Sequence, residues 1–294
     1  MSRLPASLLL VVLFGSVPAN SQPVSLVDSS GHGISLQGPA KRVISLAPNL
    51  TELMFAINAG DSLIAVSDYS DYPVAAKTLP RIGSAVSMDV ERIVDMKPDL
   101  VLTWKTGTPV ATQEYLRKLK LPVFEMEFGN VDEIAREIRV LGKLTGQERV
   151  ATGVSNRFRA GLDRLRNTFS HRKKVSVFYQ VWNQPLMTVS NKHFIGDLIR
   201  LCGGRNTFGN LPTLVSTVDI ESIVGRAPEV IIAAGNETRQ ASWLKQWSRW
   251  SSIPAVKNNH IYFISPDLLS RPGTRILQGA EILCRDLETV RQAS

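Results

Sequence analysis

Residues that could perform catalysis are few and scattered in this sequence. The four histidines have no partner at the spacing of metal ligands, and they are His32, His171, His193 and His260. No glycine-rich phosphate-binding loop and no Gly-x-Ser-x-Gly nucleophile motif is present. We therefore expect a protein that is not an enzyme, holds no metal and needs no cofactor.

Large aromatic side chains follow three predicted strands, close to the points where these strands end. Tyr69, Trp104 and Trp182 each come after an apolar run of the strand type. Open parallel sheets bind ligands outside the carboxyl ends of their strands. A single aromatic residue is more often part of the core, but the shared position of these three predicts a site for a broad, flat ligand.

A loop-like segment, Ser265–Arg275, precedes the last predicted helix. It contains Asp267, Leu268 and Arg271, and this arginine could donate parallel hydrogen bonds to an anionic or amide-rich ligand. Arg275 could equally serve the ligand or pack at the start of the helix. We expect this segment to form the second part of the binding site.

The elements that must position these residues alternate between strand-like and helix-like patterns, which is typical of an α/β protein with mainly parallel sheets. Residues 24–27 and 34–36 flank a Gly-His-Gly turn and predict a small hairpin. Residues 42–46 predict a buried strand. In the helix that follows, we expect Asn49 to cap the first turn, with Glu52 three residues later.

An internal repeat organises the chain. Residues 89–102 align without gaps on residues 219–232, an offset of 130 residues, and five of the fourteen positions are identical. Each copy has the pattern of a capped short helix, a proline turn and a buried strand. Convergence on a frequent helix–turn–strand pattern is the alternative explanation, but the repeat favours two lobes of similar topology.

The segment between the copies, residues 147–169, carries apolar side chains at spacings of three and four and no proline. It predicts one amphipathic helix of about 35 Å. We therefore expect an N-terminal α/β lobe at 22–145, a linking helix at 146–171, a C-terminal α/β lobe at 172–294 and a ligand cleft between the lobes. A single stiff helix would restrict the hinge motion of the lobes.

The first 21 residues have the features of a signal peptide: Arg3, a short apolar run and small residues near the cut. No cysteine lies near the cut, so no lipid anchor is expected, and no later stretch has the length of a membrane helix. These features predict an exported, periplasmic protein. We expect it to be a monomer.

The net charge of +8 suggests no nucleic-acid partner, because the basic residues are interleaved with acidic ones along the sequence. Cys202 and Cys284 lie far apart, and an oxidising compartment permits them to pair. At this level one disulfide and two buried thiols both remain open.

Four stretches resemble the periplasmic cobalamin-binding proteins of ABC importers, within the class that also carries ferric siderophores and haem. These stretches are Arg42–Leu53, Ser67–Pro73, Met88–Trp104 and Leu201–Asn206. The resemblance spans nearly the whole chain after the signal peptide. It implies two lobes joined by a rigid helix, and the capture of cobalamin or a related corrinoid for an inner-membrane ABC permease.

The resemblance also implies roles for single residues in the cleft. Tyr69 and Trp104 would line it, and the loop from Asp267 to Arg271 would contact the ligand. Three residues of the sequence depart from the family pattern: Ala85 replaces a tryptophan, and Leu268 and Leu269 replace aromatic residues. Trp182 could compensate for the missing rings.

Outside the cleft, the resemblance implies that Cys202 and Cys284 form a disulfide. It also implies that Glu91 and Glu221, equivalent in the repeat, dock against arginines of the permease. An exposed glutamate near a helix start is otherwise explained by the helix dipole.

Three alternatives follow from the sequence. The departures from the family pattern, including the turn at residues 271–273, leave a ferric siderophore or haem as the ligand. A metallocluster enzyme with the same two-lobed architecture would need more than the two cysteines present. A signalling receptor domain would be expected to have a membrane anchor.

Overall fold

Two four-stranded parallel sheets, one in each half of the chain, are the framework of the computed structural model, which describes residues 22–85, 87–235 and 237–293. The predicted signal peptide, residues 1–21, lies outside the described residues. Within them, no helix is both long enough and apolar enough to cross a bilayer.

The first half of the chain starts with an antiparallel hairpin and continues as an α/β sheet. Its strands are β1 Val24–Val27, β2 Gly33–Leu36, β3 Val43–Ser45, β4 Leu63–Val66, β5 Gly83–Ser84, β6 Ser87–Met88, β7 Leu100–Trp104 and β8 Val123–Met126. Its helices are α1 Pro48–Ala56, α2 Val90–Asp95, α3 Val110–Lys118 and α4 Val131–Thr145. The pairing of β1 with β2 confirms the predicted hairpin, and the parallel sheet has the order β4-β3-β7-β8.

The second half follows helix α5, Glu148–Phe169. Its strands are β9 Val175–Gln180, β10 Met187–Val189, β11 Gly204–Asn206, β12 Val215–Thr217, β13 Val230–Ala234 and β14 Ile261–Ile264. Its helices are α6 Phe194–Leu201, α7 Ile220–Arg226, α8 Glu237–Trp247, α9 Pro254–Lys257, α10 Pro266–Leu269 and α11 Ile276–Gln292. The parallel sheet of this half has the order β11-β9-β13-β14.

The two halves have the same sheet topology. Numbered within its own sheet, each half has the strand order 2-1-3-4, with all neighbours parallel. The repeated segments occupy equivalent places: Asp89 caps α2 before β7, and Asp219 caps α7 before β13, each with its carboxylate accepting a backbone N–H three residues later. The predicted two-lobed α/β fold is confirmed.

A second pair of carboxylates strengthens this equivalence. Asp99 accepts hydrogen bonds from the backbone N–H groups of Lys41 and Arg42 at 2.8 and 2.9 Å, just before β3. At the position 130 residues later, Glu229 accepts from the N–H of Ser176, in β9, at 2.6 Å. In both lobes the acid after the proline turn therefore anchors the start of the central strand.

Helix α5 connects the two lobes and begins one residue later than predicted. Gly146, in the left-handed conformation, ends α4 and allows the chain to turn back along it. The buried face of α5 packs on α4 of the first lobe and on α6 and α11 of the second. One apolar cluster has members in both lobes, from Leu36 in the first to Val290 in the second, and it includes the buried face of α5. Helix α5 therefore lies inside a core that both lobes share. The lobe boundaries near residues 145 and 172 stay a prediction.

The predicted cap of α1 is wrong. The helix begins at Pro48, and Ala47 occupies the capping position without a side-chain hydrogen bond. Proline is favoured in the first turn because it has no N–H to satisfy there. Asn49 is buried instead, and neither atom of its amide group has a hydrogen-bond partner within the described residues. Glu52 is also buried and turns towards the second half of the chain.

A disulfide joins Cys202, at the end of α6, to Cys284, within α11, and confirms the predicted pair. Both residues are fully buried. The bond fixes the last helix of the chain to the second lobe.

Replacing both Cys202 and Cys284 by alanine is expected to lower the free energy of unfolding by about 4 kcal/mol. In the chain-entropy model, a cross-link that closes a loop of this length restricts the unfolded chain by that amount. Urea unfolding followed by circular dichroism measures the change, and the wild-type protein with its disulfide reduced should lose a similar amount. A loss below about 1 kcal/mol in both samples would contradict the stabilising role.

Candidate ligand cleft

The loops after β4 and β14 bring the carboxyl-end regions of the two sheets together. Arg271, which follows α10 in the second lobe, lies 2.7 Å from the carboxylate of Asp71 in the first lobe, across 200 residues of sequence. Ligands of open parallel sheets bind on this side of the strands. The candidate cleft is therefore the space around this contact, as the sequence predicts.

Arg271 is the centre of an ionic cluster. Its Nη1 atom donates to Glu52 at 3.2 Å and to Asp71 at 2.7 Å, and its Nη2 atom lies 3.0 Å from Asp267. Burial opposes the charged guanidinium, but the hydrogen bond that Arg271 donates to Asp71 and the nearby carboxylates outweigh it and raise the pKa of Arg271. Arg271 in turn overcomes the desolvation of Asp71 and lowers the pKa of that carboxyl. Arg271 is thus held in its charged form.

Arg275 forms the closest contact between the lobes. Its Nε and Nη2 atoms donate to the two carboxylate oxygens of Glu52 at 2.8 and 2.5 Å, a bidentate pair. Its guanidinium also lies over the ring of Tyr72, 4.0 Å from the centroid. Arg275 stands at the N-cap position of α11 without a side-chain capping bond. The sequence left two roles open for Arg275, ligand binding and packing at the helix start. The structure places Arg275 at the helix start and adds a contact with the other lobe.

The three predicted aromatic residues are held in different ways. Tyr69 is 75% exposed and has a left-handed backbone, with φ of 64°, at the corner of the loop that also carries Asp71. Trp104 is half-buried, donates from Nε1 to Glu127 at 3.3 Å and packs edge-on against Phe128. Its ring position depends on Gly107, since a Cβ there would lie 2.1 Å from the indole.

Trp182 lies two residues after β9 and is 44% exposed. Its Nε1 atom donates to the backbone oxygen of Gln184 at 3.0 Å, so the local turn holds the ring. The structure therefore places Tyr69 and Trp104 in the first lobe and Trp182 in the second.

The remaining predicted cleft residues differ in their contacts and their burial. Asp267 and Arg271 form an ion pair, as described above. Leu268 is half-buried and packs against the shared core. Ala85 lies in the turn between β5 and β6, where its methyl group takes the place of the ring expected from the resemblance. The roles of these residues in binding stay predictions.

Sequence reasoning missed the functional position of two acids, Glu52 and Asp71. Their partners lie 200 residues or more away, at Arg271 and Arg275, so no local pattern reveals them. One signal was available for Glu52: it is the only charged residue of α1, between Leu50 and the apolar run that starts at Leu53, which is unusual for a glutamate that merely caps a helix.

Glu91 and Glu221 are both exposed and lie in the first turns of α2 and α7. Because these helices are equivalent, each lobe carries one glutamate of the pair at the same position. No contact within the described residues ties either side chain, so both are free to meet a partner.

Comparisons with known proteins identify the family and the fold. A model of the periplasmic binding protein family matches residues 43–268. The chain is 36% identical over 256 residues to the vitamin B12-binding protein of Vibrio campbellii, covering 87% of this chain and 92% of that protein. It is 33% identical to the vitamin B12-binding protein of Yersinia pestis, covering 85% and 88% of the two chains.

Solved structures show the same architecture. The crystal structure of the periplasmic vitamin B12-binding protein BtuF of Vibrio cholerae superposes with a TM-score of 0.80 at 33% identity, covering 86% of this chain and 98% of that one. The periplasmic haem-binding protein RhuT from Roseiflexus superposes with a TM-score of 0.76 at 18% identity, over 85% and 99% of the chains. This second likeness concerns the fold alone.

Replacing Glu52 by glutamine is expected to lower the free energy of unfolding by about 3 kcal/mol, because it leaves the guanidinium of Arg275 without its buried counter-charge. Arg164→Gln is the matched control: its ion pair with Glu281 is exposed and should contribute less than about 1 kcal/mol. Guanidinium chloride unfolding measures both variants. Equal losses would show that the contact between the lobes is no stronger than a surface pair.

Proposed function

Because the chain belongs to the periplasmic binding protein family, we propose that it captures cobalamin between its two lobes and delivers it to an inner-membrane ABC importer. The observation that carries this proposal is the likeness over nearly the full length to vitamin B12-binding proteins, at 36% identity in sequence and a TM-score of 0.80 in structure. The protein would work in the periplasm as a monomer, after removal of its signal peptide. It would hold no cofactor and catalyse no reaction.

The aromatic residues suit the flat macrocycle of cobalamin. Tyr69 and Trp182 are the more exposed rings and would pack on the two sides of the ligand, one from each lobe. Trp104 is already oriented by Glu127 and Gly107, so little side-chain entropy is lost when it contacts the ligand. Burial of these apolar surfaces would supply most of the binding free energy.

The polar contacts would come from Arg271 and Asp267. Arg271 has five N–H donors, of which the two on Nη1 serve Glu52 and Asp71. The Nε–H group makes no hydrogen bond in the part of the chain that the structure describes, and it could donate to an amide oxygen of the corrin side chains. The Asp267 carboxylate, 43% exposed, could accept from an amide N–H. A corrinoid, which carries several amides, fits this pair of groups.

The cleft would change little on binding. The bidentate contact of Arg275 with Glu52, the shared core and the single linking helix α5 all hold the lobes at a fixed distance. A largely preformed site loses less free energy to ordering than one that must close. A ferric siderophore or haem is the second candidate ligand, favoured by Ala85, which leaves one face of the cleft without a ring.

Cyanocobalamin is expected to quench the tryptophan fluorescence of the protein with a single saturating transition. Trp104→Ala should weaken binding about tenfold, the size expected for the loss of an aromatic contact and its buried area. Tyr115→Ala is the matched control, because Tyr115 is a 52% exposed aromatic residue in the last turn of α3, away from the predicted ligand residues in sequence. A ferric siderophore and haemin are titrated in parallel. Tighter binding of either, or no response to cyanocobalamin at high micromolar concentration, would contradict the proposed ligand.

We propose that Glu91 and Glu221 dock the loaded protein on the permease, each on one half of a two-fold symmetric partner. Because the two glutamates are equivalent in the repeat, each could make the same contact with one half of such a partner. Both are exposed, so their carboxylates are available for arginines of the permease.

Glu91→Ala combined with Glu221→Ala is expected to leave the affinity for cyanocobalamin unchanged and to reduce its uptake at least tenfold. Uptake of labelled cobalamin is measured in cells in which this protein is the sole periplasmic carrier for it. Glu114→Ala, at an exposed position of α3, is the control and should transport normally. Loss of ligand affinity with unchanged coupling to transport would reverse the assigned roles.

A further inference from the structure

A groove of about 710 Å³ lies between α4 and α5 and shares no residue with the ligand cleft. Its charged lining consists of five basic and two acidic residues, which are Arg136, Arg139, Lys143, Arg159, Arg166, Asp132 and Asp163. The sequence showed only dispersed charges. The two antiparallel helices bring the basic residues to one surface, because residues three and four apart share a helix face.

Two of these cations are neutralised by acids of the same helices. Arg166 pairs with Asp163 at 2.6 Å and with Asp132 at 3.2 Å. Arg136 lies 3.1 Å from the carboxylate of Glu137. These pairs account for both acidic residues that line the groove.

Among the described residues, the other three cations have no carboxylate partner. Lys143 and Arg159 are exposed and make no hydrogen bond or ion pair in the part of the chain that the structure describes. Arg139 is oriented by two neutral acceptors, donating from Nε to the Ser155 hydroxyl at 3.1 Å and from Nη2 to the Asn156 side-chain oxygen at 2.8 Å. Ser155 is fully buried and donates to the backbone of α4, which fixes the position of this guanidinium.

We propose that this groove binds an anion that carries at least two phosphate groups. Three converging positive charges without counter-charges repel one another, and a polyvalent anion relieves this repulsion more than a single carboxylate does. Guanidinium and ammonium groups are the side chains that bind phosphate oxygens most readily. The groove has room for more than one phosphate group. The shared chemistry is that of a free polyphosphate or of the doubly charged headgroup of a lipid such as cardiolipin.

The test compares the wild-type protein with the double variant Lys143→Gln and Arg159→Gln. Both side chains are exposed and without partners, so their replacement should leave folding intact. The control variant, Lys118→Gln with Lys257→Gln, removes the same charge from exposed positions outside the groove. Inorganic tripolyphosphate is titrated by calorimetry at low ionic strength, and cardiolipin-containing vesicles are tested by co-sedimentation.

We expect at least one probe to bind, the groove variant to bind it at least tenfold more weakly, and the control variant to stay within threefold of the wild type. Binding should weaken as salt is added, since exposed charges are screened. Tripolyphosphate binding identifies a free anion as the source, and binding of vesicles alone identifies a lipid headgroup. Equal loss in the groove and control variants, or no binding of either probe, would overturn the proposal.

Discussion

The charge of Glu52 is the constraint on which the arrangement of the cleft depends. A carboxylate that is almost fully buried loses its contact with water and needs cations or hydrogen-bond donors against it, and here both arginines come from the far end of the chain. Arg275 offers a bidentate pair and Arg271 a third hydrogen bond, so one acid of the first lobe holds two residues of the second. The loops that carry the predicted ligand residues are attached to this contact.

The duplication of the fold accounts for the placement of both the candidate cleft and the proposed docking glutamates. Two sheets with the same strand order present their carboxyl ends towards a common space, and their equivalent helices α2 and α7 present equivalent glutamates. Exact symmetry stops at the cleft itself. The predicted ligand residues differ between the lobes, with Tyr69 and Trp104 in the first and Trp182 and the segment from Asp267 to Arg271 in the second. Under the proposed function, this difference would let an asymmetric ligand bind in one orientation.

The sequence predicted the features that arise from local periodicity. The hairpin, the alternation of strands and helices and the long helix α5 follow from patterns within about twenty residues, the two similar lobes follow from the repeat at an offset of 130 residues, and the structure agrees with all of them. The prediction that Asn49 caps α1 was wrong because the capping rule considers residue type and not burial. Asn49 is a suitable residue type, but tertiary packing buries its side chain. The Glu52 cluster could not be foreseen because its members meet only after both lobes have formed. Tyr69 and Trp182 follow strands as predicted, whereas Trp104 is the last residue of β7 itself, and its support by Glu127 and Gly107 was not predictable.

The position of Arg275 also affects the order in which the chain can be completed. A ribosome synthesises Glu52 long before it reaches Arg275, 223 residues later. Until Arg271 and Arg275 are present, native burial of Glu52 would leave its carboxylate without either of the cations that contact it. This contact between the lobes joins residues of very high sequence separation, so it can form only after both sides of helix α5 have been made.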